Sequence, residues 1–209
     1  MRVTDAEDRP RADETRARLL EAAATAFAQR GFHGSTTRDI TSLAGLSTAA
    51  IYVHHRSKEE LLYQISKAGH QATLDLMRAA VGSAEDPIGQ LIAVMHDFAE
   101  HHAKAHVVAR VVNYEIAALD APHQQEIKDL RRDIHGELRT LIARGTEAGV
   151  FNTADAHMAA TALLSLGIDI ARWYHEDGSW SPEDIANFYA DLALRIVGAS
   201  RSPRGACGP

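Results

Sequence analysis

Thr36, Thr37, Tyr52 and Lys58 supply three hydroxyls and one cation within a 23-residue span. Those are phosphate-contacting groups, and Arg38 beside them is long enough to reach a phosphate or a base edge. Between them lies Leu46-Ser47-Thr48-Ala49-Ala50-Ile51-Tyr52-Val53-His54. If this run is helical, Leu46 and Ile51 point inward. Ser47, Thr48, Tyr52 and His54 then point outward, and small Ala49 and Ala50 permit close approach. A short helix with polar groups around a small centre fits the major groove of double-stranded DNA.

The elements that would position these groups are legible around them. Thr36 followed three residues later by Asp39 is a capping-box signature, which predicts a short helix over 36–43. Gly45 breaks it, and Ser47 stands where it can cap the next helix. Two short helices joined by a tight turn containing glycine form a helix-turn-helix pattern. Upstream, Leu19, Leu20, Ala23, Ala24 and Phe27 make one apolar stripe, predicting a helix over 13–30 that Gly31 ends, with Phe32 tucked into a small core. Residues 54–57 read as a second turn, and Ser57 with Glu60 repeats the capping signature ahead of a helix to about 80.

The rest of the chain also reads as helix, so the fold class is all-α. Predicted segments lie at 87–102, opened by Asp86-Pro87, then at 104–117, and from Pro122 to 148 with Gly149 closing it. Two more follow at 154–176 and from Ser181-Pro182-Glu183-Asp184 to 197. The expected organisation is a flexible arm over 1–12, a DNA-binding domain over 13–56, a ligand-binding and dimerisation domain over 57–199, and a disordered tail over 200–209. Arg9 and Arg11 in the arm are placed to track a minor groove.

Composition narrows the class. The net charge is -6, yet residues 1–60 hold nine basic and nine acidic side chains, and the 13 basic and 19 acidic residues beyond them supply the whole excess. A neutral head does not bind DNA tightly by charge alone and needs sequence or shape readout. No run reaches about 18 uncharged apolar residues, so no membrane partner is expected. With Cys207 the only cysteine and no apolar leader, a cytoplasmic location is expected. No GxSxG, glycine-rich nucleotide loop or paired-carboxylate arrangement suggests an enzyme, and no cofactor is expected.

Residues 15–62 resemble the N-terminal signature of the tetracycline-repressor family of regulators. The matching stretch is RLLEAAATAFAQRGFHGSTTRDITSLAGLSTAAIYVHHRSKEELL, with Phe27, Gly31, Thr36, Ile40, Ala44-Gly45, Ser47, Tyr52, His54 and Ser57-Lys58-Glu59 in the family's spacing. The resemblance implies a three-helix head, a homodimer, operator DNA as partner and, usually, repression. It assigns DNA contact to Thr36, Thr37, Thr48, Tyr52, His54 and Lys58; Arg38, Ser47 and Ala49 complete the candidate set. It also implies an aromatic residue where this chain has His55, so that slot is expected to pack weakly or respond to pH. Alanine at 49 is a mild departure from the usual glycine.

The body suggests a dimer and a pocket. Leu163, Leu166 and Ile170 on one helix, and Ile185, Phe188 and Leu192 on the next, form apolar faces that two subunits could pair as a four-helix bundle. Ala160, Leu164 and Ile168 widen the first face. Candidate pocket-lining residues are His102, His106, Arg110, Asn113, Tyr114, Arg139, Trp173 and Tyr174, with His96 nearby. His102 and His106 have a helical metal-ligand spacing, but no cysteine or carboxylate run supports a metal, and titrating surface histidines are the plainer reading. Residues 149–198 resemble the C-terminal half of regulators that sense acyl-CoA thioesters, especially Gly149-Val150-Phe151, Arg172-Trp173-Tyr174 and Ser181-Pro182-Glu183. That resemblance implies a small-molecule effector of acyl-CoA type. A regulator sensing drugs or other hydrophobic ligands stays open beside it.

Overall fold

The computed structural model describes residues 8–199, and among these residues it contains helices and no strand. The expected all-α fold is present. The helices are α1 (Asp8–Gly34), α2 (Thr37–Leu43), α3 (Thr48–His54), α4 (Lys58–Gly82), α5 (Pro87–Lys104), α6 (His106–Tyr114), α7 (Ala121–Glu147), α8 (Ala156–Trp173) and α9 (Pro182–Ile196), with a 3₁₀ turn at Ile116–Ala118. Helix α1 starts five residues earlier than its apolar stripe predicted, and a break at Gly31 (φ 70°) ends its regular part. The expected arm over 1–7 and tail over 200–209, and the side chains of Arg9 and Arg11, lie outside the described residues.

Packing divides the chain into two compact units. The first comprises residues up to Ala72 together with Ala105–Arg131; the second comprises Thr73–Lys104 and Arg132 onward. The first half of α4 belongs to the head's core. Leu61, Leu62, Tyr63 and Ile65 of α4 share one cluster with Leu19, Phe27, Phe32, Ile40 and Ile51, as do Val111, Val112, Leu119 and Ile127 from α6, the turn after it and α7. A three-helix head is too small to bury its own apolar surface well, so further helices complete it.

In the second unit, α8 and α9 both pack on α5. Ala99 and Ala103 of α5 meet Ile170, Tyr174 and Ile185. Capping fixes where these helices start. Asp155 accepts from the backbone N–H groups of His157 and Met158, and Ser181 forms a full capping box with Asp184. Gly167 on α8 permits the close approach of α5, since a Cβ there would lie 2.5 Å from the ring of Phe98. Gly167→Ala should therefore lower stability despite better helix propensity. Overpacking costs about 1–3 kcal/mol, against a propensity gain of about 1 kcal/mol at most. A urea unfolding curve with a lower midpoint checks this, and an unchanged or higher midpoint counts against it.

Candidate nucleic-acid interface

Helix α2 is set by the predicted capping box. Thr36 Oγ accepts from the Asp39 N–H at 3.1 Å and donates to Asp39 Oδ2 at 2.7 Å, while Oδ2 also accepts from the Thr36 N–H at 2.9 Å. Arg30 reaches Asp39 Oδ1 at 3.1 Å. The Thr36 hydroxyl and backbone, and to a lesser degree Arg30, hold the Asp39 carboxyl below the usual carboxylate range. Thr36 is thus committed inside the chain, and its hydroxyl is less available to a phosphate than its type suggested.

The turn from α2 to α3 needs Gly45. Its φ of 64° lies in the left-handed region, where a side chain would strain the backbone. Arg18 steadies the same turn by donating to the Ala44 carbonyl at 2.5 Å. Helix α3 is anchored by Ile51, which is fully buried. Ser47 sits at the N-cap position but makes no capping hydrogen bond, contrary to the expected cap, so its hydroxyl is not spent on the helix start. Ser47, Thr48, Ala49 and Tyr52 are exposed, as is Arg38 on α2, whereas Thr37 and His54 are half-buried.

The outward face of α3 is two adjacent rows, Thr48–Tyr52 and Ala49–Val53, at helical i,i+4 spacing. Tyr52 is 64% and Val53 76% exposed. Val53 is not among the residues singled out in the sequence, since an apolar side chain carries no hydrogen-bonding chemistry. An α-helix about 10–12 Å across fits a major groove about 12 Å wide. In that setting hydroxyls can bond base edges or phosphates, and a bare apolar side chain can meet a thymine methyl.

Lys58 has an unexpected role. Its Nζ donates to the carbonyls of Phe32 and Ser35, both at 2.7 Å, and lies 4.2 Å from the centre of the Phe32 ring. Partial burial pulls its pKa down. The side chain ties the start of α4 to the end of α1, leaving one N–H for an outside partner. Lys58→Met should lower head stability by about 1–3 kcal/mol, because two carbonyls lose a charged donor, and should weaken binding to every duplex. If the third N–H also meets a phosphate, the salt slope of DNA binding falls by about one. An unchanged melting temperature would remove the tie.

His55 fills the slot where an aromatic residue was expected. It is buried, and its Nε2 has no partner. Burial, then Arg16 and His54, push its pKa down, against a smaller opposing effect of Glu60. Nearby, Glu59 of α4 accepts from the Asp120 N–H at 3.0 Å and pairs with His123 Nδ1 at 2.9 Å. The His123 ring stacks on Tyr63 at 3.7 Å. Glu59, Asp120 and His123 could together offer three ligand atoms to a metal ion; in the structure those atoms pair with one another.

The pocket candidates are divided between the two units. His106, Arg110, Asn113 and Tyr114 belong to the first unit, and His102, Arg139, Trp173 and Tyr174 to the second. His102 is no surface histidine, being 3% exposed with Nδ1 donating to the Phe98 carbonyl at 2.8 Å. Asn113 donates to the Ala109 carbonyl, and Tyr174 is core. Arg139 borders a shallow groove with Asp155 and His157, whereas Trp173 borders a separate cavity of about 380 Å³ with Trp180, Phe188 and Tyr189.

The dimer candidates need a correction. Leu163, Ile170 and Ile185 are buried in the chain's own core, as are Ala160 and Leu164, so none can present a face to a second chain. Leu166 and Phe188 are exposed and Leu192 is half-buried. Met158, Leu166, Ile168 and Trp173 on α8, with Phe188, Tyr189, Leu192, Leu194 and Ile196 on α9, are the larger apolar residues that stay at least partly accessible.

Two family models match the chain: "Bacterial regulatory proteins, tetR family" over residues 19–65 and "Tetracyclin repressor-like, C-terminal domain" over residues 84–197. The repressor KstR2 of Rhodococcus jostii is 27% identical over 193 residues, covering 88% of this chain and 95% of that protein. A tetR-family regulatory protein from Rhodococcus RHA1 superposes with a TM-score of 0.85 at 36% identity, covering 89% of this chain and 98% of that one. AibR, in its complex with isovaleryl coenzyme A and operator DNA, shares the fold with a TM-score of 0.80 at 20% identity, over 89% of this chain and all of that one.

Proposed function

The chain belongs to the TetR family of bacterial transcriptional regulators, and from that premise we propose that it is a repressor released from its operator by an acyl-CoA thioester. It is a DNA-binding regulator and not an enzyme. No described helix is long and apolar enough to cross a membrane. The observation that carries the reading is the outward row on α3, with Tyr52 and Val53 held off the core by fully buried Ile51. Thr48, Ala49, Tyr52 and Val53 read base edges, while Ser47, Thr37 and Arg38 meet the flanking phosphates. Two copies, joined by the accessible rows of α8 and α9, set two such helices into successive major grooves roughly 34 Å apart.

Two likenesses support the effector class: the resemblance of residues 149–198 to acyl-CoA sensors, and the fold shared with AibR, which was seen with isovaleryl coenzyme A. Release is a population shift. The effector favours a conformation in which α4, the helix that follows the recognition helix, holds the two heads at the wrong spacing. Coupling of this kind is typically worth about 1–3 kcal/mol, or 5- to 150-fold in affinity.

The test begins by selecting a duplex from a random pool with purified protein. Short, long and sterol-derived acyl-CoAs are then titrated into the complex and followed by fluorescence anisotropy. Weaker operator binding with one acyl-CoA class is expected. Tighter binding would make the thioester a co-repressor, and no response to any thioester alongside release by aromatic cations would assign the protein to drug sensing.

A further inference from the structure

Buried polar atoms nearly always find a partner; besides His55 Nε2, two on α4 in the first unit do not. Ser66 is 0% exposed and His70 3% exposed. They stand one turn apart on α4 and share a face of that helix. His70 Nδ1 lies 2.8 Å from the Ser66 carbonyl oxygen. A carbonyl only accepts, so Nδ1 carries the proton and Nε2 presents a bare lone pair. Among the described residues no group reaches that Nε2 or the Ser66 hydroxyl. The surrounding core is apolar, with Leu62 and Ile65 of α4, Val111 and Val112 of α6, and Ile127 of α7. Between the two polar residues, Gly69 lets Val112 come so close that a Cβ would lie 2.6 Å from it.

A third group belongs with them. Arg131 on α7 is half-buried and forms no ion pair among the described residues. Loss of hydration lowers its pKa, and it is close enough to His70 for its charge to oppose protonation of that ring. An acceptor and a hydroxyl with no partner among the described residues, beside a poorly hydrated cation, cost stability unless something supplies the missing bonds.

We infer that Ser66, His70 and Arg131 seat the polar end of the effector, and that this end is a hydroxy-substituted carboxylic acid or its thioester. The chemistry selects the class. His70 Nε2 can only accept, so the ligand must bring a donor, which a plain acyl chain lacks. Arg131 can only donate, so the ligand must bring an oxygen acceptor, which the carboxylate or thioester carbonyl provides. The Ser66 hydroxyl serves either role between them. This deepens the effector reading above and rests on it for the premise that a small molecule is sensed.

The test uses the full-length dimer and two matched pairs of probes: 3-hydroxybutyrate against butyrate, and 3-hydroxybutanoyl-CoA against butanoyl-CoA. Calorimetry gives the affinity ratio within each pair, and nitrogen NMR of the imidazole follows His70 Nε2. In one pair the hydroxylated probe should bind about tenfold tighter or more and shift the Nε2 signal; which pair does so separates free acid from thioester. Ser66→Ala and His70→Phe should bring the ratio near one with an unchanged or higher melting temperature, because each removes an unpaired buried polar atom. A His70 signal that ignores both hydroxylated probes, or variants that lose melting temperature while discrimination persists, overturns the site. Release of the operator by plain acyl-CoAs with His70 silent removes only this site. A His70 response to 3-hydroxybutyrate with no thioester releasing DNA removes only the thioester reading.

Discussion

Phe188→Glu is expected to give a folded monomer whose operator affinity has dropped by about 10²- to 10⁴-fold, the advantage lost when two linked sites become one. Phe188 is 61% exposed in the single chain, so glutamate there disturbs no core of its own. It heads the row Phe188, Leu192, Ile196 at helical i,i+4,i+8 spacing, beside accessible Met158, Leu166 and Trp173 on α8. Apolar rows on two adjacent helices form the kind of patch that soluble proteins cover, and a two-fold axis covers a patch with its own copy. A carboxylate placed there would have to be desolvated without a partner. Leu163→Glu is the contrasting control. Leu163 is 1% exposed, so its substitution should unfold the second unit rather than part the dimer. Sedimentation velocity and anisotropy with the selected duplex read both outcomes; a Phe188→Glu protein that stays dimeric moves the interface elsewhere.

That contrast shows what the sequence could and could not convey. Local signals were reliable where the physics is local. The Thr36–Asp39 box forms as predicted, and the helix start read at Ser181 proves to be a box with Asp184, because in both the partners sit three residues apart. The inward turn of Ile51 and Leu19 followed from helical period. Period reveals that a helix has an apolar side but not what covers it. Leu163, Ile170 and Ile185 therefore look like a dimer face in the sequence although the chain's own core buries them, and Phe188 and Leu166 share that stripe. Lys58 read as a free cation because the carbonyls it bonds lie 26 and 23 residues away. Ser66 and His70 gave no signal at all. Polar residues within an amphipathic helix ordinarily face water, and only the packing of α6 and α7 against α4 removes them from it.

Acid should loosen the first unit before the second, and His70 sets the size of the effect. Burial pushes its pKa down from 6.5 to about 4. A histidine lowered in the folded state binds fewer protons there than in the unfolded chain. Its stabilising contribution is therefore complete above about pH 6.5 and is lost as pH falls towards 4. A shift of that size corresponds to roughly 3 kcal/mol across the window. His55 acts in the same direction, since burial lowers its pKa as well. His123 acts oppositely: its bond to Glu59 raises its pKa, so its contribution is complete below the unfolded value and fades as pH rises through the folded one. His123 is part-exposed at the surface of the unit, and solvent screens such pairs, so the two buried rings should dominate. Urea midpoints measured without effector should fall between pH 7.5 and pH 5, and His70→Phe should flatten much of that slope; a variant with the parent's slope would show that His70 is not held neutral in the fold. A ligand hydroxyl donating to Nε2 engages the same lone pair that a proton needs. Effector binding should therefore compete with protonation and weaken over the same acid range, which ties the stability of this unit to the chemistry proposed for its interior.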